Sequence, residues 1–123
     1  MIRALHRTDA GELRTALGLP EVRDALASAR GLLWVDLDTA DPDGRALLES
    51  DFCFHRLAID DCYNGHLDTP KIDDYDTYLF IQAQSIDYAT DANRLNLTEI
   101  GLFLGPHYVV TAVSYTHLTL PTN

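Results

Sequence analysis

The sequence is poor in positive charge. It contains nine Lys and Arg residues against 19 Asp and Glu residues, which gives a formal net charge of −10 at pH 7. Lys71 is the single lysine. Proteins that bind nucleic acid need clustered Lys and Arg side chains to displace the counterions of the phosphate backbone. We therefore expect no nucleic-acid partner.

Cysteines and long apolar runs are also scarce. The two cysteines, Cys53 and Cys62, do not form a CxxC pair, so neither a disulfide framework nor a cysteine zinc cluster is predicted, and a reducing compartment fits best. The amino terminus has no apolar signal region, and no run approaches the ~18 consecutive apolar residues of a membrane span. We expect this fragment to be soluble by itself.

Strands and helices alternate in the predicted first half. Ile2 to His6 is typical of a strand, and Glu12 to Ala16 of a second, weaker one. Apolar side chains then recur at helical spacing over residues 20–30. The apolar run from Leu32 to Val35 predicts a central strand that is covered on both faces, with Trp34 in the core.

Helices give way to strands in the predicted second half. Asp41 is expected to cap a helix that starts at Pro42, and Arg56 to Asn64 forms the next helix. Three strands follow without an intervening helix, at Thr77 to Asp87, Leu95 to Leu104 and Tyr108 to Val113. The predicted fold class is α/β: a mixed β-sheet with helices packed on its faces, ending in an antiparallel three-strand meander.

The last ten residues differ in composition from the rest. Residues 114–123 carry no charged side chain, although 23% of the whole chain is charged. They resemble the translated sequencing-adapter read-through found at the ends of some metagenomic reading frames. We therefore predict a domain over residues 1–113 and a non-native, mobile tail over residues 114–123, which is left out of the fold. A native threonine-rich tail is the alternative.

The most informative stretch extends from Phe54 to Phe80. After His55 it reads Arg-Leu-Ala-Ile-Asp-Asp-Cys-Tyr-Asn, and it continues through His66, a Thr-Pro-Lys step, an acidic-aromatic patch and Tyr-Leu-Phe. This stretch resembles the cytoplasmic domain of CorA-type magnesium transporters, where an H-P-L-A-I-E-D-C helix is followed by N-x-H, R-P-K, an acidic-aromatic patch and a Y-L-F strand. Leu33 to Leu37 and Leu102 to Val110 extend the resemblance over most of residues 1–113.

The resemblance implies that Asp61 and Asp60 are metal ligands. In the family this acidic pair lies between the cytoplasmic domains of a homopentamer, where bound Mg²⁺ bridges neighbouring subunits and favours the closed pore. Asp61 matches the family's aspartate directly, whereas Asp60 replaces a glutamate and is one methylene shorter. Arg56 replaces the family's proline, and the segment before Pro70 is one residue longer than usual.

The residues themselves predict an incomplete metal site. Neighbouring side chains on a helix diverge by about 100°, so Asp60 and Asp61 cannot easily bind the same ion. Magnesium keeps several waters and typically takes one or two protein carboxylates, so one aspartate could contribute to an ion shared with another subunit. We expect the isolated chain to bind Mg²⁺ only weakly. The alternative is that both acids are solvated, with Asp60 paired to Arg56.

The function implied by the resemblance is a regulatory one without catalysis. The chain would be the magnesium-sensing and gating domain of a membrane transporter for divalent cations such as Mg²⁺ and Co²⁺, on the cytoplasmic side of the inner membrane. A stalk helix, two membrane helices and a Gly-Met-Asn motif follow in the family, and this chain contains no such motif. We therefore expect the pore to be absent from it.

Two alternatives remain open from the sequence. The chain could be a freestanding acidic interaction domain, or a metal-dependent hydrolase in which His55 and His66 join the two aspartates. No H-E-x-x-H or comparable ligand spacing supports the hydrolase. His55, which immediately precedes a predicted helix, is instead expected to bind a backbone group near the helix start.

Overall fold

A mixed β-sheet with helices on one face forms the described part of the chain. The computed structural model describes residues 2–64, 69–89, 94–114 and 118–121. The strands are β1 (Ile2–Arg7), β2 (Leu13–Arg14), β3 (Leu32–Asp38), β4 (Lys71–Asp74), β5 (Leu79–Ala89), β6 (Arg94–Leu104), β7 (Tyr108–Val113) and β8 (Leu118–Pro121). The helices are α1 (Leu19–Ser28), α2 (Pro42–Ala46), which continues into a π-helical turn (Leu47–Asp51), and α3 (Arg56–Tyr63).

The strand order confirms the predicted fold class. The sheet runs β2-β1-β3-β7-β6-β5-β4, and β8 also pairs with β6. β3 and β7 are parallel, whereas the other neighbouring strands are antiparallel. The meander predicted from three consecutive strand patterns is β5-β6-β7. No helix in the described part of the chain is both long enough and apolar enough to cross a bilayer.

Side-chain caps fix the starts of two helices. The Oδ1 atom of Asp41 accepts a hydrogen bond from the backbone N–H of Asp43 at 2.9 Å, at the start of α2. The Nδ1 atom of His55 accepts one from the N–H of Leu57 at 3.1 Å, at the start of α3. Each cap satisfies a donor that has no partner within its helix. Both predicted caps are therefore confirmed.

The core lies between the helices and one face of the sheet. Leu33, Val35 and Leu37 of β3 point toward the helices and are almost completely buried, as are Phe80 and Phe103 of the meander. The helical layer contributes the buried side chains Val22, Leu47, Leu48, Phe54, Ala58 and Ile59. This single apolar layer positions α3 over the middle of the meander.

The predicted burial of Trp34 is wrong. Leu32 and Trp34 are 48% and 46% exposed, because successive side chains of β3 point to opposite faces and all the described helices pack on the face of Leu33. The prediction of a strand covered on both faces fails for the same reason. A continuous apolar run shows that both faces of a strand are apolar. It does not show whether other elements cover those faces.

The carboxyl-terminal segment also departs from expectation. We predicted a mobile tail outside the fold, yet Leu118–Pro121 pairs antiparallel with β6, with Leu95 opposite Leu120 and Leu97 opposite Leu118. The Ser114 N–H, directly after β7, donates to the Glu99 carbonyl of β6 at 3.2 Å. Part of this segment therefore belongs to the sheet. Its non-native origin stays a prediction.

Candidate metal site on helix α3

Helix α3 presents the two candidate ligands at the protein surface. Ala58 and Ile59 anchor the helix in the core, with at most 1% exposure. The next two residues, Asp60 and Asp61, keep 43% and 26% of their side-chain surface exposed. Because they are adjacent on the helix, their carboxylates point to different neighbours, as the sequence predicted.

Asp60 faces an arginine of the preceding helix. The Arg45 guanidinium donates to Asp60 Oδ1 at 2.7 Å and to Glu49 Oε1 at 2.8 Å. These hydrogen bonds, to Asp60 first and to Glu49 second, raise the pKa of Arg45 above its ordinary value. The predicted partner Arg56 is 3.8 Å from Asp60 and is the weaker contact. Asp60 is thus neutralised mainly by a residue fifteen positions away.

Asp61 faces the only lysine. Lys71 Nζ at the start of β4 donates to Asp61 Oδ2 at 2.7 Å and lies 3.3 Å from Asp73 Oδ2. The hydrogen bond to Asp61 raises the pKa of Lys71, so the side chain remains an ammonium ion. The ammonium occupies a position between two carboxylates, where a cation is electrostatically favoured.

Beneath Asp61 the site is buried and closely packed. The backbone carbonyl of Asp61 lies 3.3 Å from Gln82 Nε2, which also donates to Glu99 Oε1 at 3.0 Å. The Cys62 thiol lies over Gly101, where a Cβ atom would approach Cys62 Sγ to 2.5 Å. Burial, helped by the charges of Asp61 and Glu99, raises the pKa of Cys62 to about 12. Since metals bind the thiolate, Cys62 is a poor ligand at neutral pH.

His55 is engaged in structural contacts at the other end of α3. Its Nδ1 atom caps the helix. Its backbone N–H donates to the Tyr78 hydroxyl at 2.8 Å. Its ring stacks on Tyr75 with the centroids 5.2 Å apart. This confirms the predicted role of His55 at the start of the helix. His66 lies outside the described residues.

The arrangement offers a divalent ion one or two carboxylates. Within the described residues, no three His, Cys, Asp or Glu side chains are placed to hold one metal ion. Arg45 and Lys71 were missed in the sequence because their contacts with Asp60 and Asp61 span 15 and 10 residues. The one available signal was that Lys71 is the sole lysine in an acidic region.

One family model matches most of the chain. The family model described as CorA-like Mg²⁺ transporter protein matches residues 29–120. A Bacillus subtilis (strain 168) protein named "Putative metal ion transporter YfjQ" is 38% identical over 78 residues. The aligned region is 63% of this chain and 23% of that protein. The chain therefore spans about a quarter of the length of this curated relative.

Two solved structures share the fold at low sequence identity. The soluble domain of CorA from Methanocaldococcus jannaschii aligns with a TM-score of 0.60 and 10% identity, over 91% of this chain and 40% of that one. The full-length CmaX protein aligns with a TM-score of 0.59 and 15% identity, over 94% of this chain and 34% of that one. At these identities the structures establish a common fold only.

Proposed function

This chain belongs to the CorA-like Mg²⁺ transporter family, and we propose that it is the cytoplasmic domain through which such a transporter senses intracellular magnesium. In this proposal Asp61 provides a carboxylate to a regulatory Mg²⁺ ion at a subunit interface of a homopentamer, and Asp60 lies beside it. The bound ion favours the closed pore. The domain itself catalyses no reaction, and the pore lies in a part of the protein that this chain does not include.

One observation carries the proposal: the aspartates are partly exposed, and the described residues of their own chain do not complete a metal site around them. Asp60 and Asp61 point to different cations, and no three candidate ligands of the described residues are placed to hold one metal ion. A Mg²⁺ ion bound at Asp61 would retain most of its waters and take its remaining protein ligand from elsewhere. A neighbouring subunit is the natural source, because it brings a second carboxylate only when the domains are assembled.

The resident ammonium of Lys71 is compatible with this role. Partly exposed ion pairs of this kind contribute only about 0 to 1 kcal/mol, so a divalent ion with a second carboxylate can displace Lys71 from Asp61 at small cost. A cost of about 1 kcal/mol lowers the affinity roughly fivefold. The ion pair therefore weakens the binding of a divalent ion and does not prevent it.

The metal-dependent hydrolase has less support. It needs His55 as a ligand, yet Nδ1 of His55 accepts the hydrogen bond that caps α3. It also needs three or four ligands in one chain, and the described residues bring no such group together. The second alternative is a freestanding acidic interaction domain. No contact among the described residues favours it over the magnesium-sensing role.

The proposal is tested in the intact transporter by Asp61→Asn. This substitution keeps the size and the hydrogen-bonding capacity of the side chain and removes its charge. Divalent-cation flux, measured in proteoliposomes or in cells, should then persist at internal Mg²⁺ concentrations that close the wild-type pore. Asp24→Asn, on the exposed surface of α1, is the matched control and should close normally. Wild-type inhibition in Asp61→Asn would reject the role of this carboxylate.

A further inference from the structure

The ammonium of Lys71 lies between helix α3 and strand β4, within reach of two carboxylates. Its Nζ atom donates to Asp61 Oδ2 at 2.7 Å and lies 3.3 Å from Asp73 Oδ2. In β4, Lys71 pairs with Gln82 and Asp73 pairs with Phe80 of β5. Gln82 and Phe80 are buried on the helix face of the sheet. Because paired residues and residues two apart share a face, both charged side chains of β4 point toward α3.

The two carboxylates hold Lys71 unequally. The contact with Asp61 is the shorter one, and the side chain of Asp61 is 26% exposed, whereas that of Asp73 is 40% exposed. Charges attract more strongly where less water screens them, so Asp61 is the preferred partner. Lys71 is itself 40% exposed, and a lysine ammonium is a point charge on a flexible stem. It can therefore pass from Asp61 to Asp73 by a small movement of its side chain.

A divalent ion at Asp61 would disturb this balance. Two positive charges on one carboxylate repel each other, and Mg²⁺ needs room for the waters that it retains. We propose that Lys71 is a tethered competitor for the cation position at Asp61, and that Asp73 takes over its ammonium when Mg²⁺ binds. This exchange sets the Mg²⁺ concentration at which the sensor responds. The inference rests on the proposed function, because it requires Asp61 to bind the ion.

The exchange gives the residues on either side of the ammonium position opposite effects on the affinity of Asp61 for Mg²⁺. When Lys71 is replaced by a neutral residue, no ammonium has to leave and the affinity rises. When Asp73 loses its charge, the ammonium loses this second partner, stays on Asp61 and lowers the affinity. The effect of Asp73 acts through Lys71, so it disappears once Lys71 is replaced. A direct attraction between Asp73 and Mg²⁺ would instead persist in both backgrounds.

The test is a titration of the 123-residue chain with MgCl₂ at constant ionic strength, followed through the amide signal of Asp61. Lys71→Met should lower the Mg²⁺ midpoint about fivefold. Asp73→Asn should raise it about twofold or more, and should change it less than about twofold in the Lys71→Met background. Arg14→Met is the matched control, because it removes one positive charge from an exposed position on β2 and should keep the wild-type midpoint.

A second signal reports the exchange itself. Lys71 is the single lysine, so lysine labelled with ¹³C gives one set of side-chain signals. In the wild type these signals should shift with the same Mg²⁺ midpoint as the Asp61 amide, and in Asp61→Asn they should not shift. Lysine signals that stay unchanged while the Asp61 amide saturates would overturn the inference.

The outcomes separate this inference from the proposed function. A wild-type midpoint in Lys71→Met, with Asp61 still responding to Mg²⁺, would reject the competition and leave the proposed function in place. An equal effect of Asp73→Asn with and without Lys71 would reject the transfer of the ammonium. An Asp61 signal that responds in neither the wild type nor Lys71→Met would reject both proposals. If Lys71→Met does not fold, Lys71→Gln is titrated in its place.

Discussion

At the residue scale, the candidate site consists of two acids that are each paired with a different cation. Arg45 neutralises Asp60 and Lys71 neutralises Asp61, at 2.7 Å in both cases. The sequence predicted that the acids diverge, because that follows from helix geometry alone. It predicted neither cation, because each contact depends on how α3 packs against another element.

A pH experiment tests the packing beneath Asp61. Burial raises the pKa of Cys62 to about 12 from an ordinary value of 9.0, so the folded protein keeps a proton that the unfolded chain loses. The contribution of Cys62 to stability is therefore complete below about pH 9 and is lost as the pH rises toward 12. Burial also raises the pKa of Tyr63, from 10.0 to about 12, which adds a loss of the same sign above pH 10.

We expect the free energy of unfolding to fall by roughly 2 kcal/mol between about pH 8 and about pH 10.5 because of Cys62. Urea unfolding at the two pH values measures it. Cys62→Ala should lose less stability over this interval than the wild type. Cys53→Ala is the control, since this thiol is exposed, and should follow the wild-type profile. Identical losses in all three proteins would show that Cys62 titrates normally in the folded state.

At the element scale, local patterns predicted most strands and helices. Asp41 and His55 mark the starts of α2 and α3, and the three-strand meander follows from three consecutive apolar segments. The exposure of Trp34 could not be predicted, because burial of the sheet face opposite Leu33 depends on elements packed against it. The amino-acid pattern of a strand is the same whether its covering layer is present or not.

The pairing of β8 with β6 leads to a prediction about the last ten residues. Leu118–Pro121 bonds to one end of β6, which is its only strand partner in the described part of the chain. Deleting residues 114–123 should therefore leave a cooperative urea transition, with a loss of stability of about 1 kcal/mol or less. The circular dichroism spectrum should keep its strand and helix signals.

The full-length chain measured in parallel is the reference for this deletion. A shortened protein that is unfolded, or less stable by several kcal/mol, would show that the segment is a structural part of the domain. That result would contradict the division of the chain at residue 113.

At the scale of the whole molecule, the chain is an acidic domain that belongs to a transporter family and spans about a quarter of a curated relative. The fold class and the family were predictable, because several separated motifs occur in the family's order. Asp60 and Asp61 stay predicted metal ligands, and the described residues do not bring three candidate ligands together around one ion. The proposed function therefore needs a ligand from a neighbouring subunit.

The most direct test is a titration of Mg²⁺ into the isolated chain, followed through the amide signals of Asp60 and Asp61. Because the described residues offer a Mg²⁺ ion at most one or two carboxylates, we predict millimolar binding at best, which corresponds to about 4 kcal/mol and weakens with added salt. Asp61→Asn should abolish the local shifts, and Asp24→Asn should not. Micromolar, saturable binding centred on these aspartates together with His55 or His66 would contradict the shared site and indicate a complete metal centre within one chain.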